Sequence, residues 1–132
     1  MFIDASVLVA IMLQEKGAQA FAEALEAAEE RFTSPVAIFE TVAVVMSRRS
    51  ASRRLVEAEL EGVLTEAEIE IVPITDEVGR AALDAFDRYG KGRGHPAQLN
   101  MGDCFAYGAA VTLGVPLLYK GDDFSQTALG RA

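Results

Sequence analysis

The sequence has little that could cross-link the chain or bind a soft metal, because its 132 residues include one cysteine and one histidine. One cysteine excludes an internal disulfide framework and fits a reducing cytoplasm. The same scarcity argues against a structural zinc site within one chain. No apolar run reaches the roughly 20 residues of a membrane-spanning helix, and residues 1–13 lack the basic start and cleavage site of a signal peptide. We therefore expect a cytoplasmic protein with no membrane partner.

Basic residues are also scarce, with 12 lysines and arginines against 20 aspartates and glutamates and a formal net charge of −8. A uniformly acidic surface repels phosphate, which argues against a nonspecific nucleic-acid binder. The basic residues are nevertheless concentrated in segments 48–54 (RRSASRR) and 91–95 (KGRGH). Each segment either contacts phosphate or is a solvated helix end or loop, and the sequence leaves both alternatives open.

Short apolar segments alternate with helical patterns along the chain. Candidate strands lie at 2–4, 32–33, 69–74 and 115–119. Helices are predicted from Ser6 to Leu13, after Gly17, from Pro35, from Leu55 to about Ala67, from Thr75 or Asp76 to about Tyr89, and from about Leu99, with a short helical tail after Phe124. This alternation predicts an α/β fold, namely a three-layer α/β/α sandwich with a small parallel sheet, in a single domain over residues 1–132.

Aspartates stand where the predicted strands end. Asp4 closes the first strand, and Asp103 opens the helix that leads into the last one. The last strand is followed by Asp122 and Asp123. Sites on parallel sheets form beyond the carboxyl ends of the strands, so these residues are candidates for one site. Taken singly, each is equally well explained as a helix cap or a turn residue.

Glu40 is harder to explain as a structural residue, because it interrupts the largely apolar helix VAIFETVAVVM (36–46). An unpaired buried carboxylate costs several kcal/mol unless something neutralises it. No lysine or arginine lies within a turn of Glu40, since Arg48 is two turns away. A basic partner from elsewhere in the chain remains the alternative explanation.

Four carboxylates gathered at one sheet edge would repel each other strongly. A hard divalent cation such as Mg²⁺ or Mn²⁺ prefers oxygen ligands and would make such a cluster tolerable. Sites of this kind commonly serve phosphoryl chemistry, in which the metal activates a water and stabilises the leaving oxygen. The pattern therefore favours a metal-dependent hydrolase of phosphate esters.

Four segments together resemble one known family. They are IDASVLVA (3–10), Glu40 in its apolar helix, HPAQLNMGDCFAYGAA (95–110) and LLYKGDDFSQT (117–127). Over essentially its whole length the chain resembles the VapC-type PIN-domain ribonuclease toxins of toxin–antitoxin systems. It departs from the usual family pattern by one extra glycine in GRGHPA and by Thr127-Ala128 where Thr-Asp is common.

The resemblance implies a Mg²⁺- or Mn²⁺-dependent endoribonuclease that cuts RNA, forms a homodimer and is neutralised by a cognate antitoxin. It implies that Asp4 and Asp103 are the main metal ligands and that Glu40 binds the metal or orients a water. For the fourth carboxylate we favour Asp122, which is nearer the strand end, whereas an ungapped match to the family's Asp-Phe ending selects Asp123. The apolar, glutamate-fringed helices before residue 70 independently predict a homodimer, because a thin sheet cannot cover them.

Other functions fit the sequence less well. A phosphoaspartate receiver needs an acidic pair after its first strand, and a haloacid-dehalogenase-type phosphatase needs Asp-x-Asp there, whereas this chain has Asp4-Ala5-Ser6. The remaining alternative is a catalytically silent PIN-like module that only binds or dimerises, and the intact set of carboxylates argues against it. We also expect His95 to make a structural hydrogen bond and Cys104 to be a small core residue.

Overall fold

The computed structural model describes residues 1–129, so residues 130–132 of the expected domain lie outside the described part. Within residues 1–129 the strands are β1 (Phe2–Ile3), β2 (Phe32–Thr33), β3 (Glu70–Ile71) and β4 (Leu117–Leu118). The helices are α1 (Ala5–Met12), α2 (Ala18–Ala27), α3 (Pro35–Arg49), α4 (Arg53–Glu66), α5 (Asp76–Tyr89) and α6 (Met101–Leu113). None of the helices in this part of the chain has the length and apolar character needed to cross a membrane.

The four strands form one parallel sheet in the order β3-β2-β1-β4. Phe2 of the central strand pairs with Phe32 on one side and with Leu117 on the other. Successive side chains of a strand point to opposite faces, and β1 shows this directly. Phe2 belongs to the apolar core beneath α5 and α6, whereas Ile3 belongs to the core beneath α1, α3 and α4. The predicted three-layer α/β/α sandwich with a small parallel sheet is confirmed.

Local capping chemistry sets several helix ends where the sequence predicts them. Ser34 Oγ accepts a hydrogen bond from Ala37 N at 3.2 Å, and Pro35 is the first residue of α3. Thr75, the first of the two predicted caps, accepts a bond from Val78 N at 3.2 Å and opens α5. Gly114, with a φ of 68°, ends α6 in the left-handed conformation that glycine adopts at low cost.

Other element boundaries differ from the sequence predictions. The predicted strand 69–74 is reduced to Glu70–Ile71, because Pro73 has no N–H to extend the ladder. The predicted strand 115–119 is reduced to Leu117–Leu118, and the helix expected from Leu55 begins at Arg53 after the Ser52 cap.

The helical tail expected after Phe124 is not formed over residues 125–128, Leu129 is in a 3₁₀ conformation, and the rest of the expected tail lies outside the described residues. Consecutive turns follow β4, closed by hydrogen bonds from Ser125 N to Asp122 O at 3.1 Å and from Thr127 N to Phe124 O at 3.0 Å. The Phe124 side chain is buried in the core beneath α5 and α6 and meets the Tyr119 ring edge to face. Anchoring this side chain holds the segment in turns beside the end of the sheet.

Candidate active site

A cleft of about 420 Å³ opens beyond the carboxyl ends of β1 and β4. Five carboxylates line it, and four of them form what we term its acidic half: Asp4, Glu40, Asp103 and Asp123. Asp4 is the N-cap of α1, and Glu40 lies in the second turn of α3. Asp103 lies in the first turn of α6, and Asp123 lies in the turn after β4. The structure thus brings together three of the four predicted site residues, and the fourth position is taken by the alternative, Asp123.

The turn after β4 separates the two neighbouring aspartates. Asp123 lines the cleft, whereas Asp122 is not among the residues that line it. The carbonyl of Asp122 instead accepts hydrogen bonds from Ser125 N at 3.1 Å and from Ser125 Oγ at 2.7 Å. The sequence preference for Asp122 rested on its closeness to the strand end. The path of the turn instead brings Asp123, and not Asp122, to the cleft.

Asp4 is a buried helix cap as well as a cleft residue. Its Oδ2 accepts hydrogen bonds from Ser6 N at 3.1 Å and from Ser6 Oγ at 2.6 Å. Burial raises the pKa of Asp4, the bonds from Ser6 oppose the rise, and the nearby charge of Asp123 adds to it. Ser6 Oγ also accepts a bond from Lys120 N at 2.9 Å, so this serine ties Asp4 to the segment that carries Asp123.

Asp103 caps its own helix and also lines the cleft. It forms a capping box with Asn100, in which Asp103 N donates to Asn100 Oδ1 at 2.8 Å and Asn100 N donates to Asp103 Oδ2 at 3.1 Å. Burial raises the pKa of Asp103 to about 6, the bond from Asn100 opposes the rise, and the charges of Asp123 and Asp4 increase it. The cap orients the side chain without neutralising it.

Glu40 lies against the first turn of α6. Burial raises its pKa to about 7, with further contributions from the charges of Asp4 and Asp103. A Cβ added at Gly102 would overlap the Glu40 carboxylate, so only glycine at this position allows the carboxylate to approach the α6 backbone. Gly102 was missed in the sequence. The available signal was a glycine inside the first turn of a helix, where glycine is unfavourable by up to about 1 kcal/mol relative to alanine.

A second group of charged residues, which we term the basic half of the cleft, consists of Glu15, Arg48 and Lys120. Glu15 Oε2 accepts from Arg48 Nη1 at 2.8 Å, and Glu15 Oε1 accepts from Lys120 Nζ at 3.1 Å. The bond from Lys120 is the main reason that the pKa of Glu15 is lowered, and the pairing with Arg48 adds to it. Arg48 belongs to the basic segment noted in the sequence, whereas Glu15 and Lys120 gave no sequence signal.

The other residues that the sequence singled out lie outside the cleft lining. Arg49 pairs with Glu59 at 2.5 Å, and Arg93 pairs with Asp87 at 3.0 Å. His95 Nδ1 accepts a hydrogen bond from Ala97 N at 3.1 Å, which confirms the expected structural bond.

Cys104 is buried in the core, as expected. Burial and the charge of Asp103 raise the pKa of its thiol to about 11, which disfavours the reactive thiolate.

The acidic half of the cleft fits a hard divalent cation in its donor chemistry. Every donor in it is a carboxylate oxygen, and none of its members forms an ion pair with a basic side chain within residues 1–129. No group of three or more Asp, Glu, His or Cys side chains within this described range is close enough together to hold a metal ion as the side chains stand. Burial is the main cause of the raised pKa values of Glu40 and Asp103, and the charges of neighbouring carboxylates raise them further.

The class of protein follows from the fold, the cleft and the comparisons with known proteins. The model of the PIN domain family matches residues 1–129. A VapC ribonuclease of Rhizobium meliloti strain 1021 is 42% identical over 98% of this chain and 99% of its own length. Ribonuclease VapC28 of Mycobacterium tuberculosis is 38% identical over 100% of this chain and 97% of its own. The chain belongs to the PIN-domain family, among the VapC ribonucleases.

Two solved structures share the fold at low sequence identity. Mycobacterium tuberculosis VapC20, described as a Sarcin-Ricin loop cleaving toxin, has a TM-score of 0.71 and 14% identity and covers 94% of this chain and 92% of its own. A toxin–antitoxin complex from Klebsiella pneumoniae has a TM-score of 0.68 and 15% identity. It covers 97% of this chain and 92% of its own. At these identities the likeness supports the fold alone.

Proposed function

We propose that the chain is an endoribonuclease that depends on Mg²⁺ or Mn²⁺ and acts as the toxin of a toxin–antitoxin pair. The observation that carries the proposal is the acidic half of the cleft, in which four carboxylates share one space with no basic partner in the described chain. Two of the four, Asp4 and Asp103, are buried, and burying a carboxylate is unfavourable unless something offsets its charge. The ribonuclease names of relatives about 40% identical over the whole chain supply the substrate class.

In this proposal each carboxylate has a distinct task. Asp4 and Asp103 hold the metal, and both are pre-oriented by hydrogen bonds from Ser6 and Asn100. When bound, the ion supplies a nucleophilic water at neutral pH and stabilises the leaving oxygen. Glu40 would orient that water through a carboxylate oxygen, since it lines the same cleft as Asp4 and Asp103. Asp123 completes the negative wall of the cleft.

The expected partners are RNA, a cognate antitoxin and a second copy of the chain. The VapC relatives about 40% identical support the antitoxin, and the Klebsiella pneumoniae structure that shares the fold is itself described as a toxin–antitoxin complex. Exposed apolar side chains support the homodimer, since Phe39 is 75% exposed, Leu55 68% and Ile71 50%. Light scattering of the antitoxin-free chain at micromolar concentration is expected to give twice the monomer mass, and a monomer would contradict the dimer. An RNA substrate and the single cysteine both support a cytoplasmic site of action.

A catalytically silent binding module remains the second candidate, because the same fold would serve it. The uncompensated carboxylates favour the enzyme, since a module that only binds a partner has no need to retain mutually repelling buried charges. Measuring RNA cleavage with and without a divalent metal separates the two, because a silent module would leave RNA intact in every metal condition.

The deciding experiment is cleavage of RNA by purified chain freed of antitoxin. We expect cleavage with Mg²⁺ or Mn²⁺, none in EDTA, and recovery when excess metal is restored. Undiminished cleavage in EDTA would overturn the metal mechanism. Sequencing of RNA ends after brief expression of the chain alone would then identify the substrate.

A further inference from the structure

The basic half of the cleft has no task in the chemistry proposed above. Glu15 bridges two cations, with one carboxylate oxygen 2.8 Å from Arg48 Nη1 and the other 3.1 Å from Lys120 Nζ. A phosphodiester also presents two anionic oxygens, and arginine and lysine are the side chains that most often bind it. The bridge therefore has the charge arrangement of a phosphate subsite that is already occupied by a carboxylate.

The backbone holds this bridge close to the acidic half of the cleft. Lys120 N donates to Ser6 Oγ at 2.9 Å, and the same Oγ donates to Asp4 Oδ2 at 2.6 Å. Arg48 lies in the last turn of α3, the helix that carries Glu40 two turns earlier. Glu15 is fixed in the loop after α1 by a bond from its N–H to Ala10 O at 2.9 Å. A phosphate at the two cations would thus lie beside the proposed cutting site.

Both cations keep binding capacity beyond the bridge. A guanidinium has five N–H donors and an ammonium has three, and the Glu15 bridge engages one nitrogen of each side chain. The side chain of Arg48 is 57% exposed and that of Lys120 is 38% exposed, against 25% for Glu15. The cations are therefore accessible to a ligand, while the carboxylate between them is the more enclosed partner.

We propose that Arg48 and Lys120 form the subsite for a backbone phosphate of the RNA strand, and that Glu15 is a competing anion that lowers the affinity of this subsite. The inference rests on the proposed ribonuclease function, because that function is what brings an RNA strand to the cleft. Two cations and one carboxylate leave one net positive charge beside four carboxylates. Phosphate contacts position a strand without reading its sequence, so this subsite sets affinity and register only.

The test measures binding of a labelled single-stranded RNA to the full chain in EDTA, across a salt series. Arg48→Gln and Lys120→Gln are each expected to weaken binding severalfold and to lower the salt dependence by about 0.7, the slope for one phosphate contact on a single strand. Arg80→Gln is the matched control, because Arg80 is an exposed residue of α5 paired with Asp76 and does not line the cleft. It should keep the wild-type slope.

Glu15→Gln is expected to tighten RNA binding severalfold, whereas the control Glu77→Gln, an exposed residue of α5, is expected to leave it unchanged. A purely structural bridge predicts a different result, namely a lower melting temperature for Glu15→Gln with wild-type RNA affinity. That result would overturn the role of Glu15. Arg48→Gln and Lys120→Gln variants that bind like Arg80→Gln would overturn the subsite.

Cleavage by the same samples in Mg²⁺ separates failure of this inference from failure of the proposed function. Loss of a positioning phosphate contact should raise KM for Arg48→Gln and Lys120→Gln more than it lowers kcat. If the wild-type chain cuts RNA and both variants match its KM, the inference alone is wrong. If the wild-type chain neither binds nor cuts RNA, the inference and the ribonuclease proposal are wrong together.

Discussion

The two halves of the cleft contain carboxylates whose pKa values move in opposite directions. In the acidic half, burial and like charges raise the pKa of Glu40 to about 7 and that of Asp103 to about 6. In the basic half, hydrogen bonds from Lys120 and Arg48 lower the pKa of Glu15. The difference is that Glu15 has cationic partners in the folded chain, whereas no carboxylate of the acidic half forms an ion pair within residues 1–129.

The largest expected effect comes from removing one charge of the acidic half. Asp103→Asn keeps an oxygen for the capping box but loses a metal ligand, so RNA cleavage should fall at least about 100-fold. The metal-free fold should be as stable as the wild type or slightly more stable, because repulsion is relieved. RNA cleavage in Mg²⁺ and a thermal melt in EDTA check both parts. A variant that cuts at a near-normal rate would reduce Asp103 to a helix cap.

The two aspartates after β4 provide a matched pair for the next prediction. Asp123→Asn removes a charge that lines the cleft, and cleavage should fall about 10- to 100-fold. Asp122→Asn changes a side chain outside the lining and leaves the carbonyl that accepts from Ser125, so its cleavage rate should stay near that of the wild type. Equal losses, or a larger loss for Asp122→Asn, would return the fourth position to Asp122.

Substitutions at two glycines of α6 distinguish an effect on the candidate site from an effect on the stability of the fold. Gly102→Ala should displace the flexible Glu40 carboxylate and lower cleavage about 10- to 100-fold, with little loss of stability. Gly108→Ala would instead place its Cβ 2.7 Å from Ala82 N and 2.9 Å from Val78 O in the α5 backbone.

Backbone atoms of α5 cannot move aside as easily as the end of a side chain can. Gly108→Ala should therefore lower the free energy of unfolding by about 1–3 kcal/mol. Cleavage assays at permissive temperature and thermal melts of both variants distinguish the two effects. Normal cleavage by Gly102→Ala would show that the position of Glu40 does not matter to the reaction.

The smallest expected effect is a pH dependence of metal-free stability. The pKa of Asp103 is about 6 in the fold against its usual 3.8, and that of Glu40 is about 7 against 4.5. The folded state therefore binds these protons more tightly than the unfolded chain. Their contribution to stability is fully present below about pH 4 and is lost as the pH rises through about 7. The lowered pKa of Glu15 acts oppositely, since its contribution is lost as the pH falls below its usual 4.5.

Melting temperatures in EDTA test this prediction. The difference in melting temperature between the wild type and Asp103→Asn should shrink or reverse as the pH rises from 4 to 7. The reason is that the variant lacks one of the two carboxyl groups whose pKa is raised in the fold. Mg²⁺ should restore the wild-type melting temperature at pH 7 and have less effect on the variant. A difference that does not change with pH would contradict the repulsion assigned to the acidic half.

Much of the fold was predictable because its signals are local. Ser34, Thr75 and Gly114 end or begin helices through contacts with residues a few positions away, and the alternation of apolar segments indicates the three layers. The strand lengths were not predictable in the same way. Strand pairing depends on distant partners, and the proline after β3 ends a ladder whose extent only the sheet defines.

The sequence by itself determined which chemistry is available, because the carboxylates of Asp4, Glu40 and Asp103 stand at a strand end, in an apolar helix and in a first helical turn. Only the tertiary structure decided that Asp123 rather than Asp122 lines the cleft and that Glu15 meets Lys120, 105 residues away. The physical reason is that side chain direction in a turn, and ion pairing between distant segments, are set by packing. Here they follow from the buried Phe124 and the parallel sheet, which bring together residues that no local pattern connects.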